Sequence, residues 1–138
     1  SSQNTENNMK IYVASSLNNA VNATRIMNRL RGLGATITYD WTTHGRAYAE
    51  ELLKSLGKAE LDGVINADVV LMVQPGRSGT HVELGIAIGQ IMSGAKKRIL
   101  ILDETEEAEK KTFYYLDFIE RFNSEDEAVD SIFKEIVK

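Results

Sequence analysis

The chain contains no cysteine, which removes disulfides, thiolate metal sites and cysteine nucleophiles from consideration together. A reducing cytoplasm is the compartment that such a chain leads one to expect. No apolar run approaches the ~18 residues needed to cross a bilayer, so no membrane is expected as partner. The opening S-S-Q-N-T-E-N-N lacks the charged-then-apolar pattern of a secretory leader. With almost nothing apolar in it, the stretch 1–9 reads as a disordered tail. Basic residues form no long block and the formal net charge is −4. A nucleic acid polymer, which requires a basic face, is therefore not the expected ligand. Two histidines and no thiol give no basis for a metal site. What remains is an ordinary globular balance, 43% hydrophobic and 26% charged over 138 residues. That suits one domain over 10–138 with one core, and no internal repeat is visible.

Short β-type runs alternate with longer helical stretches. Lys10 to Ala14 reads as a first strand, followed by the turn-prone Ser15 to Asn19 and a helix over Ala20–Arg31 ending at Gly32 and Gly34. Thr36 to Tyr39 reads as a second strand and Asp40 to Gly45 as a polar loop. Helical sequence follows from Ala47 to Leu56, breaks near Gly57, and resumes from Lys58 to Ile65. Asp68 to Val73 and Arg98 to Leu102 are continuous apolar runs, the pattern of strands covered on both faces. Between them lies a helix from Thr80 to Met92. Glu104 to Lys111 reads as a solvated loop or surface helix. Ile119 to Phe122 reads as a short last strand. Ser124 and Glu127 form a capping-box start for a closing helix whose apolar face is Val129, Ile132, Phe133, Ile136 and Val137. This alternation predicts an α/β fold: one flavodoxin-like or Rossmann-like domain with a five-stranded parallel sheet, order 2-1-3-4-5, and helices on both faces. Ligands of such sheets bind beyond the carboxyl ends of the strands, where the strand order reverses. Two loops meet that description, Ser15 to Asn19 and Pro75 to Thr80.

The second loop is the most unusual segment of the chain. Pro75-Gly76-Arg77-Ser78-Gly79-Thr80 joins a buried strand to a helix. Glycines there permit close backbone approach, and the amides at the helix start have no internal partner, which makes an anion site. Ser78 and Thr80 add hydroxyls and Arg77 a charge, although glycine and serine also serve simple turns and threonine simple caps. Glu83 is read in the first turn of this helix, where a carboxylate suits the helix dipole. Its neighbours Val82, Leu84 and Ile86 equally allow it to face the cleft. A carboxylate beside an anion site suits attack at, or stabilisation of, a sugar's anomeric carbon. Gly85 and Gly89 read as a close contact between this helix and a strand. Glu60 and Asp62, on the preceding helix, are the candidates for an acid serving the departing group, while Asp68 reads as structural. Tyr12, on the first strand, is either an orienting group for Glu83 or a core residue. Asp40 and Trp41 follow the second strand at the same end of the sheet. Trp41 either stacks on a planar base or closes the edge of the core. His81 reads as loop-lining and His44 as exposed.

I-Y-V-A-S-S near the start, E-L-D-G-V-I-N-A-D before the third strand and P-G-R-S-G-T-H-V-E-L-G after it occur in that order. With these segments the chain resembles the nucleoside 2-deoxyribosyltransferase-like superfamily, nearest to the 2'-deoxynucleoside 5'-monophosphate N-glycosidases, over Lys10 to Leu102. The resemblance implies that Glu83 is the catalytic glutamate and Tyr12 the tyrosine that positions it. Glu60 falls where the family carries an aspartate that helps protonate or hold the base, one methylene shorter; Asp62 could supply the shorter carboxylate. Transferases acting on free nucleosides tend to carry a carboxylate in the loop before the glutamate. Arg77-Ser78-Gly79-Thr80 contains none. Ser16 and Ser78 instead match the serines with which the nucleotide hydrolases hold a 5'-phosphate. Ser15, Ser16, Asp40, Trp41 and Gly76 to Thr80 are accordingly the expected substrate-binding set. The resemblance further implies a homodimer or higher homo-oligomer and a reaction without metal or organic cofactor.

The leading expectation is thus hydrolysis of the N-glycosidic bond in a (deoxy)nucleoside 5'-monophosphate. Transfer of the sugar to a second base is the alternative with the same chemistry. The G-x-x-G-T-x-x-E pattern is also loosely similar to that of cytokinin-type phosphoribohydrolases, which have a doubled glycine and a longer chain. An NAD-cleaving glycohydrolase and a non-catalytic nucleotide-binding module complete the alternatives.

Overall fold

A computed structural model describes residues 8–46 and 49–137 of the chain, with side chains described up to residue 134. The expected tail therefore falls mostly outside the described residues, as does Ala47, the expected helix start. Among the described residues there are five strands: β1 (Lys10–Ala14), β2 (Thr36–Ile37), β3 (Val69–Val73), β4 (Arg98–Leu102) and β5 (Ile119–Phe122). Four α-helices accompany them: α1 (Ala20–Gly32), α2 (Glu50–Asn66), α3 (Ser78–Met92) and α4 (Glu125–Val137). The strands form one parallel sheet in the order β2-β1-β3-β4-β5.

Every residue of β3 is buried, which a parallel strand achieves only with helices over both faces. Ile11 pairs with Val69 and Tyr12 with Val70, so β1 and β3 end at nearly the same level. Below them, Asp68 clips the strands together: its carboxylate accepts the Lys10 N–H at 3.0 Å, while its own N–H donates to the Lys10 carbonyl at 2.7 Å. This is the structural role expected of Asp68. On one face, Arg25 and Arg29 of α1 converge on Glu125 of α4. The Arg25 guanidinium, joined by Arg29, holds the Glu125 carboxyl down to about 2 despite the opposing effect of burial. On the other face, α2 packs beside α3. No helix among the described residues is long and apolar enough to cross a membrane.

Four expectations change. The second strand stops at Ile37 and not Tyr39, because Asp40 accepts the Thr42 N–H at 2.9 Å and starts a single 3-10 turn over Trp41–Thr43. Helix α2 runs without a break through Gly57, whose surroundings are open. A glycine costs a helix only about 1 kcal/mol, and the apolar stripe of α2 continues past it. Helix α3 begins at Ser78, which puts Glu83 in its second turn and outside the usual reach of the dipole. Gly85 and Gly89 do not face a strand; both are exposed, with nothing near the Cβ position of either. The close helix-to-sheet approach occurs instead at Gly63 of α2. A Cβ on Gly63 would lie 2.9 Å from the Tyr39 Cβ and 3.0 Å from the Tyr12 ring. In α4, Ser124 Oγ accepts the Glu127 N–H as a cap, and Val129 and Ile132 are buried as expected. The side chains of Ile136 and Val137 lie outside the described residues.

Candidate active site

The order reversal between β1 and β3 opens a cleft at their carboxyl ends, and the two loops expected there are joined across it. Ser16 N–H donates to the Pro75 carbonyl at 3.1 Å. Ser15 Oγ donates to the Val73 carbonyl at 2.7 Å and accepts from Asn19 Nδ2 at 2.9 Å. Ser15 thus spends its hydroxyl on fixing the loops. The cleft holds a cavity of about 590 Å³ walled by both loops, the residues after β2, α2 and the start of α3. That volume lies within the range that takes a ligand of nucleotide size.

Glu83 sits on the cavity wall and is only 7% exposed. Tyr12, fully buried on β1, donates its hydroxyl hydrogen to Glu83 Oε2 at 2.6 Å. Burial, followed by the neighbouring Glu83 charge, raises the Tyr12 phenol far above its ordinary value, so it remains a neutral donor. Gly63 makes this geometry possible, because any side chain there would meet the tyrosine ring. Burial pushes the Glu83 carboxyl up to about 8; the Tyr12 hydrogen bond opposes this and the neighbouring Glu60 carboxyl reinforces it. With its carboxyl raised to about 8, Glu83 keeps its proton near neutral pH, beside the Glu60 carboxyl.

Glu60 reaches the cavity because Leu53, Leu56, Gly57 and Glu60 form one stripe of α2 that lines it, at the i, i+3, i+4, i+7 spacing of a helix face. Asp62 does not join them. Two residues on from Glu60 is a rotation of about 200° around the helix. Asp62 accordingly lies on the outer flank, half exposed, and pairs with Lys58 at 2.9 Å. The remaining candidate acid is Glu60.

One helical turn before Glu83, Ser78, Gly79 and Thr80 line the cavity together with Arg77. The Gly76 amide is taken by Gln74 Oε1 at 2.7 Å and the Arg77 amide by Thr80 Oγ1 at 3.1 Å. The amides of Ser78 and Gly79, first in the helix, have no helical carbonyl to meet. Gly76 itself does not line the cavity; its missing side chain makes room for Thr80 and Met72. Ser16 also lines the cavity; it is 3% exposed and its Oγ has no hydrogen-bond partner among the described residues. A buried hydroxyl without a partner is uncommon and is ordinarily met by a water, an ion or a ligand.

Asp40 does not reach the cavity. Its carboxylate is used by the Thr42 amide and hydroxyl and by Arg31. Trp41 closes the edge of the core: it is buried, its indole N–H donates to the Val13 carbonyl at 2.7 Å, and it also lines the cavity. Several wall residues carried no signal in the sequence. Tyr39 and His44 stack with ring centroids 6.1 Å apart, and both line the cavity together with Arg46 and Leu53. His44 is exposed, as expected, yet lines the site. His81 contacts the loop from behind, through the Arg77 carbonyl. No protein-family model matches the chain, and no curated protein matches it.

Proposed function

We propose that this protein is an N-glycosidase of the nucleoside 2-deoxyribosyltransferase-like type, cleaving the base–sugar bond of a (deoxy)nucleoside 5'-monophosphate. The observation that carries the reading is a buried carboxylate oriented by Tyr12 one helical turn from an anion cradle. The leading amides of the helix, the Ser16 hydroxyl without a partner among the described residues, the Ser78 hydroxyl and Arg77 suit a phosphate monoester. With phosphate there, the sugar lies over Glu83 and the base extends toward Tyr39, His44 and Leu53. Glu83 passes its proton to Glu60 and attacks the anomeric carbon as the carbon–nitrogen bond breaks; the bonding pair leaves with the base, which takes that proton from Glu60. Water then attacks the same carbon, gives a proton to Glu60 and releases Glu83. Capture of the glycosyl-enzyme by a second base in place of water would make the same site a transferase. As the assembly, we infer a homodimer. Val82, Gly85, Gly89 and Met92 form an outward strip along α3, with Val82 62% and Met92 72% exposed.

The test is to incubate the protein with nucleosides, their 5'-monophosphates and NAD, with and without an added free base, and to follow base release by chromatography. Release from monophosphates is expected. Glu83→Ala should lower turnover by roughly 10³-fold or more, Glu60→Gln by roughly 10²–10⁴-fold, and Asp62→Asn should leave it unchanged. Release from no substrate would reduce the protein to a nucleotide-binding module. Release from nucleosides alone would remove the phosphate assignment.

A further inference from the structure

Behind the glycine loop, on the side away from the cavity, three side chains form a chain that the proposed chemistry does not use. Gln74 Oε1 accepts the Gly76 N–H at 2.7 Å, and Gln74 Nε2 donates to the Tyr114 hydroxyl at 2.7 Å. The Tyr114 oxygen lies 2.8 Å from His81 Nε2, and His81 Nδ1 lies 2.8 Å from the Arg77 carbonyl oxygen. The His81 and Tyr114 rings stack at 5.9 Å, 7° from parallel. With a neutral imidazole, one proton order satisfies every member. A carbonyl can only accept, so His81 carries its hydrogen on Nδ1; Nε2 is then an acceptor and Tyr114 donates to it.

The two ends of this relay grip consecutive loop residues, the donor of Gly76 and the acceptor of Arg77. The Arg77 carbonyl and the Ser78 N–H belong to one planar trans peptide and point in opposite directions. That carbonyl accepts the His81 backbone N–H at 3.0 Å as well as meeting His81 Nδ1, and held by both it aims the Ser78 N–H outward from the helix start. Tyr114 is itself fixed. It is buried in the turn Thr112–Tyr115 between β4 and β5, and its carbonyl accepts from Arg121 Nη1 at 3.0 Å.

We propose that Gln74, Tyr114 and His81 are positioning residues for phosphate recognition: the relay orients the Arg77–Ser78 peptide so that the Ser78 and Gly79 amides meet the phosphate. This rests on the phosphate reading above. The relay touches neither the sugar nor Glu83, so its loss weakens binding of the phosphate alone.

The test uses titration calorimetry in the Glu83→Ala background, where ligand is not consumed, with a deoxynucleoside 5'-monophosphate and with its parent nucleoside. Adding Tyr114→Phe removes two hydrogen bonds and is expected to weaken monophosphate binding about tenfold, with nucleoside affinity within twofold. His81→Ala cuts the other end of the relay and should give the same split; it carries the test if Tyr114→Phe does not fold. Equal weakening for both ligands, or none for the monophosphate, overturns the relay's role. Background protein that binds monophosphate no tighter than nucleoside overturns the phosphate reading itself, a result visible before either relay variant is made.

Discussion

Ionising Glu83 forfeits hydration that the Tyr12 hydroxyl only partly replaces, which is why its carboxyl is raised to about 8. The consequence for stability has a definite sign. Between the ordinary carboxyl value of 4.5 and about 8, the folded protein holds a proton that the unfolded chain has released, so stability falls as pH rises through that window. Glu83→Gln keeps an acceptor for Tyr12 and removes the titration. Its unfolding free energy should equal wild type near pH 4 and exceed it by roughly 1–3 kcal/mol near pH 8. Urea unfolding at the two pH values checks this; a constant difference would mean that Glu83 is not raised. The sequence pointed to Glu83 through the glycine loop ahead of it and to Tyr12 through strand alternation. It could not indicate that Ser16 lacks a partner and Ser15 does not, since both are serines in one loop and only the position of the neighbouring carbonyls separates them. Asp62, in contrast, could have been set aside from spacing alone.

At the scale of elements, α2 builds one wall of the cavity. Its inner stripe presents Glu60 to the cavity and, at Gly63, lets the helix rest on the Tyr12 ring. Gly63→Ala places a methyl group 2.9 Å from the Tyr39 Cβ and 3.0 Å from the Tyr12 ring. The expected result is a loss of about 1–3 kcal/mol in stability. Turnover should also fall, because Tyr12 must shift from Glu83. Gly57→Ala, on the same helix with open space around it, is the control and should be neutral or slightly stabilising in the same unfolding assay. Reading a break at Gly57 and a close contact at Gly85 and Gly89 gave glycine a role by spacing. What decides that role is which side of the helix meets another element, and that is a tertiary fact. Tyr114 went unnoticed for the same reason, since its segment has neither helical nor strand period and its partners come from β3 and α3.

For the molecule as a whole, the apolar runs of β1, β3 and β4 dictated a parallel sheet, and the crossover rule then left few strand orders. The switch-point cleft followed from that order without reference to any side chain. The assembly is a matter of what the fold leaves uncovered. The strip Val82, Gly85, Gly89 and Met92 should be covered in a dimer, and sedimentation at tens of micromolar is expected to show one. Val82→Asp should shift it to monomer; a wild-type monomer would end the inference. The backbone bond from Ser16 to Pro75 carries one last consequence. The frame beneath the cavity is sewn main chain to main chain, whereas Tyr39, His44, Arg46 and Leu53 stand on its rim. On the proposed reading, substitution at the rim should revise which base is accepted while leaving the sugar and phosphate end as it was, so that selectivity and chemistry would be free to evolve separately.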